Sequence, residues 1–274
     1  MLKHILFFLS LALLISNSSW AEGNREKVLI YAHRGGSWNA PENTMSAFRE
    51  TVSLGGVDYL ELDLHITRDG EIMVIHDDTV DRTTNGKGKV SEMTRAQIEQ
   101  LDAGSWFNKK IPERARPQFS RERVPTLRAV VDFAKSAPIK LYIETKTVKS
   151  ARKDFEQKVE EVLDEEGFDS FVVVESFDVE SLKRMKAINP NLKTALLVER
   201  LTDETILLAK QISASEIAPN HESVTGPLVR RAHEAGLKVT VWTVDDPTEI
   251  KRLQEADVDG IITNRPEVVK NLIQ

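Results

Sequence analysis

Apolar and polar positions alternate along this chain in two rhythms. Short apolar runs, rich in β-branched residues, predict strands at Val28–Tyr31, Tyr59–Leu64, Lys140–Ile143, Phe171–Val174, Thr194–Val198, Glu216–Ala218, Lys238–Trp242 and Gly260–Ile262. Between them, apolar residues recur at helical spacing over Thr44–Leu54, Leu127–Lys135, Ala151–Glu166, Val179–Ile188, Asp203–Gln211, Val224–Ala235, Pro247–Ala256 and Pro266–Leu272. Asp178, Thr202 and Asp246 stand where an N-cap side chain would satisfy free amides of a first helical turn. Gly167 and Gly236 stand where helices should end. Strand then helix, about eight times over, predicts a parallel sheet closed into a (β/α)8 TIM barrel. An open doubly wound sheet is the rival architecture, but no Gly-rich dinucleotide fingerprint accompanies the strands.

One segment breaks the rhythm. Ile72–Ile75 reads as an additional strand ending in His76-Asp77-Asp78. Residues 79–124 are then polar, rich in Arg, Lys and Gly, and include Trp106 and Phe107. A connection of this length is functional or carries structure of its own. It reads as an insertion after the second barrel strand, with a short helix in Met93–Leu101. No linker or repeat divides the chain, so residues 22–274 form one domain with an insertion at about 79–124.

The first residues follow neither rhythm. Lys3 and His4 precede an apolar run from Ile5 to Ile15 interrupted only by Ser10, followed by polar residues, Trp20 and Ala21. A basic start, an apolar middle and small residues at the end make a secretory signal peptide over 1–21. The run is shorter than the roughly 18 apolar residues a spanning helix wants, so the mature chain should not insert stably in a membrane. An exported protein, periplasmic or secreted after cleavage near Ala21, is expected. The chain contains no cysteine, which excludes disulfides, thiolate metal sites and thiol catalysis. A formal charge of −6 without basic clusters argues against nucleic acid as a partner.

In a barrel of this kind the C-terminal ends of the strands line the active site. The first strand ends in His33-Arg34, the third in Glu144-Thr145-Lys146, and the additional strand in His76. In "YLELDLH", Glu61 and Asp63 are two apart and share a face opposite Leu60, Leu62 and Leu64. Carboxylates facing a barrel interior are costly unless paired. A bound cation would remove that cost, with Glu144 as a third ligand, and hard oxygen donors suit Mg²⁺ or Ca²⁺. The bland alternative is a set of buried ion pairs with Arg34 and Lys146. His33 and His76 are the natural proton movers, since an imidazole titrates near neutrality. Arg34 and Lys146 suit phosphate oxygens. His65 is expected at the surface beyond the strand end, His233 on a solvated helix face, and His221 is undecided. Trp242 reads equally as barrel packing or as a wall of the site.

Together "AHRGGSWNAPENTMSAF", "LELDLHITRDGEIMVIHDDTVDRTTNGKG", "LYIETK" and "VTVWTVDD" resemble the glycerophosphodiester phosphodiesterase family over nearly the whole chain after residue 21. The order of these motifs, rather than any one of them, makes the resemblance specific. It implies a TIM barrel with a small insertion after the second strand. It implies a divalent cation, Ca²⁺ or Mg²⁺, on Glu61, Asp63 and Glu144, a catalytic pair in His33 and His76, and phosphate contacts from Arg34 and Lys146. Glu42 of "PENT" would support the metal or Arg34, and Trp242 would flank the substrate. Thr145 and Asn264 depart from what is frequent in the family without removing a catalytic group. The implied reaction is metal-dependent hydrolysis of a small-molecule glycerophosphodiester to glycerol 3-phosphate and an alcohol. Two rivals are a lysophospholipase D, with an acyl groove built from Trp106 and Phe107, and a non-catalytic exported binding module. The second would be expected to lack part of the His33, His76, Glu61, Asp63, Glu144 set.

For the leader, N-terminal sequencing of protein from the native host should begin at Glu22. A chain that begins at Met1 would contradict export with cleavage.

Overall fold

The computed structural model describes residues 27–146 and 153–273. The expected leader and the start of the predicted helix Ala151–Glu166 lie outside the described residues. Eight parallel strands close on themselves: β1 (Leu29–Ala32), β2 (Tyr59–Ile66), β4 (Lys140–Thr145), β5 (Val172–Ser176), β6 (Lys193–Val198), β7 (Glu216–Pro219), β8 (Lys238–Val241) and β9 (Gly260–Thr263). β1 pairs with β2 on one side and β9 on the other, which completes the barrel. The additional strand β3 (Ile72–Val74) lies antiparallel to the end of β2. The eight-strand barrel expected from periodicity is therefore observed, with strand ends within about two residues of expectation.

The side-chain alternation of β2 explains how the barrel carries its chemistry. Leu60, Leu62 and Leu64 face outward into the apolar layer shared with the surrounding helices. Tyr59, Glu61 and Asp63 face inward. Tyr31, Tyr59 and Tyr142 fill the lower interior with Val173, Ala195 and Ile262. Tyr31 and Tyr59 stack at 4.5 Å, and Tyr142 meets Tyr31 edge-on at 4.8 Å. Glu216 of β7 is buried beside this aromatic floor, accepting from the Tyr142 hydroxyl at 3.3 Å and the Thr240 hydroxyl at 3.0 Å. Around the barrel run α1 (Met45–Leu54), α4 (Leu127–Lys135), α5 (Phe155–Glu165), α6 (Val179–Ile188), α7 (Asp203–Gln211), α8 (Gly226–Glu234), α9 (Pro247–Glu255) and α10 (Pro266–Ile273). Asp178, Thr202 and Asp246 do accept first-turn amide hydrogen bonds.

The segment between β3 and α4 contains two short helices, α2 (Arg95–Ile98) and α3 (Ser105–Lys110). It has its own apolar cluster of Val80, Val90, Ile98, Ala103 and Val124 beneath Met73 and Ile75. Phe107 and Phe119 are fully buried against Ala40 and Ala47. Trp106 packs edge-on to Phe107 and its indole N–H donates to the Ala103 carbonyl. Trp106 and Phe107, which the lysophospholipase D rival could have used for an acyl groove, instead hold the segment onto the barrel. Among the described residues, no helix is long and apolar enough to cross a membrane.

Closure between β1 and β9 depends on Gly260. A Cβ there would lie 2.4 Å from the Tyr31 ring, which the aromatic floor holds in place. Gly260→Ala should cost about 1–3 kcal/mol by overpacking. In thermal unfolding that is a drop of roughly 2–4 °C per kcal/mol for a domain this size.

Candidate active site

Asp63 of β2, Glu144 of β4 and Glu175 of β5 occupy one lateral row, because Asp63 pairs with Glu144 and Glu144 with Glu175 across the sheet. Glu61 lies one inward step below Asp63. Glu61, Asp63 and Glu144 each present an oxygen within 4.8 Å of the other two, and all three are buried. That spacing and all-oxygen donor set fit a hard divalent cation. Arg34 and Lys146, the only cations the sequence placed here, also sit among them. Lys146 Nζ lies 2.5 Å from Glu144 Oε2 and 3.1 Å from Asp63 Oδ1, and Arg34 Nε 3.6 Å from Asp63 Oδ2. The cation cluster and the ion-pair cluster are therefore the same residues.

The electrostatics show that these pairs do not suffice. Burial works against ionised Asp63, but Lys146 and Arg34 outweigh it and hold that carboxyl below the usual carboxylate range. Its neighbours go the other way. Burial, then Asp63, pushes Glu144 up to about 7. Burial and Asp63 raise Glu61 well above the carboxylate range, and burial and Glu61 do the same to Glu175. Buried carboxyls this close resist being charged together without a further positive group.

The chain after β1 turns sharply at His33–Gly35, with Arg34 itself in the left-handed region at φ 51°. That conformation aims the Arg34 amide at Glu61, donating to Oε2 at 2.6 Å. A Cβ on Gly35 would lie 2.6 Å from Phe48 of α1. The glycine is thus explained by its positive φ and by helix packing. The Arg34 guanidinium donates to Glu42 at 2.9 Å, and Arg82 holds Glu42 from the other side. Glu42 therefore supports Arg34, and it is not one of the three clustered carboxylates. Asn43 Nδ2 donates to Asp63 Oδ2 at 2.8 Å.

The two histidines flank this cluster with different backing. Asp245 accepts from the Asn264 amide N–H and, at 2.7 Å, from Asn264 Nδ2. Asn264 Oδ1 must then face the other way, where it lies 2.6 Å from His33 Nδ1. An amide oxygen only accepts, so Nδ1 carries the hydrogen and Nε2 is left with its lone pair. His33 Nε2 points toward Glu61, 4.0 Å away. Burial, helped by Arg34, brings His33 down to about 4, so it is neutral at ordinary pH. His76 Nδ1 instead donates to Asp77 at 2.7 Å, and Arg82 grips Asp77 through two nitrogens. Burial lowers His76 too, opposed by Asp63 and Asp77.

His76, Asp77, Glu144, Lys146 and Phe177 line an open cleft of about 460 Å³ at the C-terminal mouth. A cavity of about 570 Å³ lies at the other end of the barrel among Leu29, Val57, Ile139, Phe168 and Phe171, and holds none of the expected residues. The smaller cleft is where the chemistry lies, because strand C-termini converge there. Trp242 follows β8 directly and donates its indole N–H to the Ala218 carbonyl. Its ring meets Phe177 edge-on at 5.6 Å, and Phe177 is 46% exposed.

Three histidines differ from expectation or complete it. His65 is buried rather than at the surface: pairing with Met73 of β3 extends β2 past it, and Nε2 donates to the His76 carbonyl. His233 is not merely solvated, since Nε2 bonds Asp259 at 2.8 Å. His221, undecided from sequence, bonds Glu249 at 2.8 Å beside the Trp242 backbone. Glu175, Phe177, Asp245, Arg82 and Asn43 went unnamed in the sequence reading. Glu175 alone had a readable signal, an acid at an inward position of the apolar run "VVVES".

Comparison with known proteins agrees with this arrangement. The model of the "Glycerophosphoryl diester phosphodiesterase family" matches residues 33–268. A glycerophosphodiester phosphodiesterase of Caldanaerobacter subterraneus subsp. tengcongensis is 38% identical, over 90% of this chain and 98% of that protein. One from Bacillus subtilis is 36% identical, over 96% of this chain and 94% of its own. Among solved structures, a glycerophosphodiester phosphodiesterase from Agrobacterium tumefaciens superposes with a TM-score of 0.76 at 30% identity, covering 89% of this chain and 99% of that one. An Oleispira antarctica phosphodiesterase, solved with the product sn-glycerol-3-phosphate, shares the fold with a TM-score of 0.83 at 24% identity, covering 90% and 97%. The chain therefore belongs to the glycerophosphoryl diester phosphodiesterase family and is a phosphoric diester hydrolase.

Proposed function

We propose that this enzyme hydrolyses small glycerophosphodiesters, such as glycerophosphocholine or glycerophosphoethanolamine, to glycerol 3-phosphate and the alcohol, and requires Ca²⁺ or Mg²⁺ to do so. The observation that carries the reading is the pair of imidazoles, each with Nδ1 engaged and Nε2 left for chemistry, flanking one carboxylate cluster. Glu61, Asp63 and Glu144 would hold the cation. When bound, it supplies Lewis-acid stabilisation of charge on the phosphoryl oxygens. Arg34, whose buried Nε lacks a hydrogen-bond partner, and Lys146 orient the phosphate. His33 Nε2 takes the proton of the attacking hydroxyl, from water or the neighbouring glycerol hydroxyl. As the phosphorus–oxygen bond to the alcohol breaks, His76 gives its Nε2 proton to the departing oxygen. Burial and Arg34 keep His33 neutral, while at His76 the Asp77 carboxylate works against burial and favours the protonated form, which suits base and acid in that order. Trp242 and Phe177 wall the substrate side. The signal-like leader supports a place outside the cytoplasm.

The proposal is tested by assaying a panel of glycerophosphodiesters after chelation, with and without added Ca²⁺ or Mg²⁺. Turnover should vanish on chelation and return with the ion; full turnover in excess chelator would remove the cation from the mechanism. The histidine roles separate by leaving group. General acid catalysis typically contributes about 10²–10⁴-fold. His76→Ala should lose on that order with glycerophosphocholine and far less with a nitrophenyl phosphodiester, whose leaving group needs no proton. His33→Ala should be impaired on both, and the opposite pattern reverses the two roles. Asn264→Ala should lower kcat about 10–10²-fold by releasing the His33 tautomer, leaving cation affinity unchanged in calorimetry.

A further inference from the structure

The mechanism leaves one buried carboxyl at the mouth unused. Glu175 is 2% exposed, and its Oε2 has no hydrogen-bond partner. It shares the inward face of β5 with Val173, which belongs to the interior cluster. It stands beside Glu144 in register on one side and beside the small Ala195 on the other. The charges it feels most are those of Glu61 and Glu144. An unpartnered carboxyl oxygen in such a place costs stability, and among the described residues no hydrogen bond to Oε2 offsets that cost. Counting charge among the described residues, Glu61, Asp63, Glu144 and Glu175 face Arg34 and Lys146, and a divalent cation balances the difference. Glu175 nevertheless falls outside the set whose oxygens lie within mutual reach of one ion.

We propose that Glu175 is a positioning residue of the cation site, acting on a divalent ion from the β5 side through one of the ion's water ligands. The inference rests on the reading that Glu61, Asp63 and Glu144 hold a cation. Partners that act through a bound ligand typically contribute about 10–100-fold in metal affinity. The test is calorimetric titration of Ca²⁺ and of Mg²⁺ into the metal-free full-length protein and its Glu175→Gln variant, with melting temperatures of both metal-free proteins. The amide should weaken binding about 10–100-fold. The metal-free variant should melt no lower than the parent, because a buried unpaired carboxyl has been replaced by a neutral group. A purely structural Glu175 gives the reverse: a lower metal-free melting temperature with the parent's cation affinity, and that result overturns the proposal. Unchanged affinity at unchanged stability overturns it as well. If the unsubstituted protein itself takes up neither ion, the cation reading fails and this inference falls with it, which sets the two failures apart. Should the amide variant not fold, Glu175→Ser, small and uncharged beside Ala195, is judged by the same affinity criterion.

Discussion

The mouth of this barrel buries more negative charge than its own cations balance. Asp63, Glu144 and Glu175 run in one row across three strands, with Glu61 a step below, and among the described residues only Arg34 and Lys146 stand among them. Such a cluster is tolerable where burial is enforced by the fold and a counter-charge can enter. Both conditions trace to strand periodicity. The alternation that sends Leu60, Leu62 and Leu64 into the helix layer sends Glu61 and Asp63 inward, above the tyrosines that fill the lower interior. Asp63, held ionised by Lys146 and Arg34, then forces its neighbours toward the neutral form.

The flanking groups follow from that cluster. The backbone of Arg34, bent into a left-handed turn, serves Glu61, while its guanidinium serves Asp63 and Glu42. Arg82 then links Glu42 to Asp77, and Asp77 to His76. One continuous set of contacts therefore runs from the carboxylate row to the second histidine. The first is oriented independently, from the β9 end, through Asp245 and Asn264. Burial lowers both imidazoles, but His76 has a carboxylate against its Nδ1 where His33 has an amide oxygen, an asymmetry that suits a reaction needing both an acid and a base.

Much of this was legible before the structure. Strand and helix periods located the eight barrel strands and most helices, because fully buried parallel strands read as apolar runs. Parity alone put Glu61 and Asp63 on one face. What failed were features set by contacts distant in sequence. His65 looked like a strand terminus because the antiparallel partner that extends β2 could not be inferred at that register. Asn264 was noticed only as a departure, since its partner His33 lies at the opposite end of the chain and meets it only through the β1–β9 closure. Trp106 and Phe107 suggested a groove because composition does not tell an exposed aromatic from one that staples an insertion down. Glu175 sat in plain view in "VVVES", and parity applied to β5 as it was to β2 would have found it.

The central claim is that these carboxyls are held partly protonated until a divalent cation supplies the missing charge. Titrating Mg²⁺ or Ca²⁺ into metal-free protein at pH 6, in buffers of different ionisation enthalpy, measures the protons exchanged on binding. Glu144 raised to about 7, with Glu61 also raised, means protons must leave as the cation enters. Release of at least one proton is the expected result. Binding whose enthalpy is independent of the buffer would contradict the account.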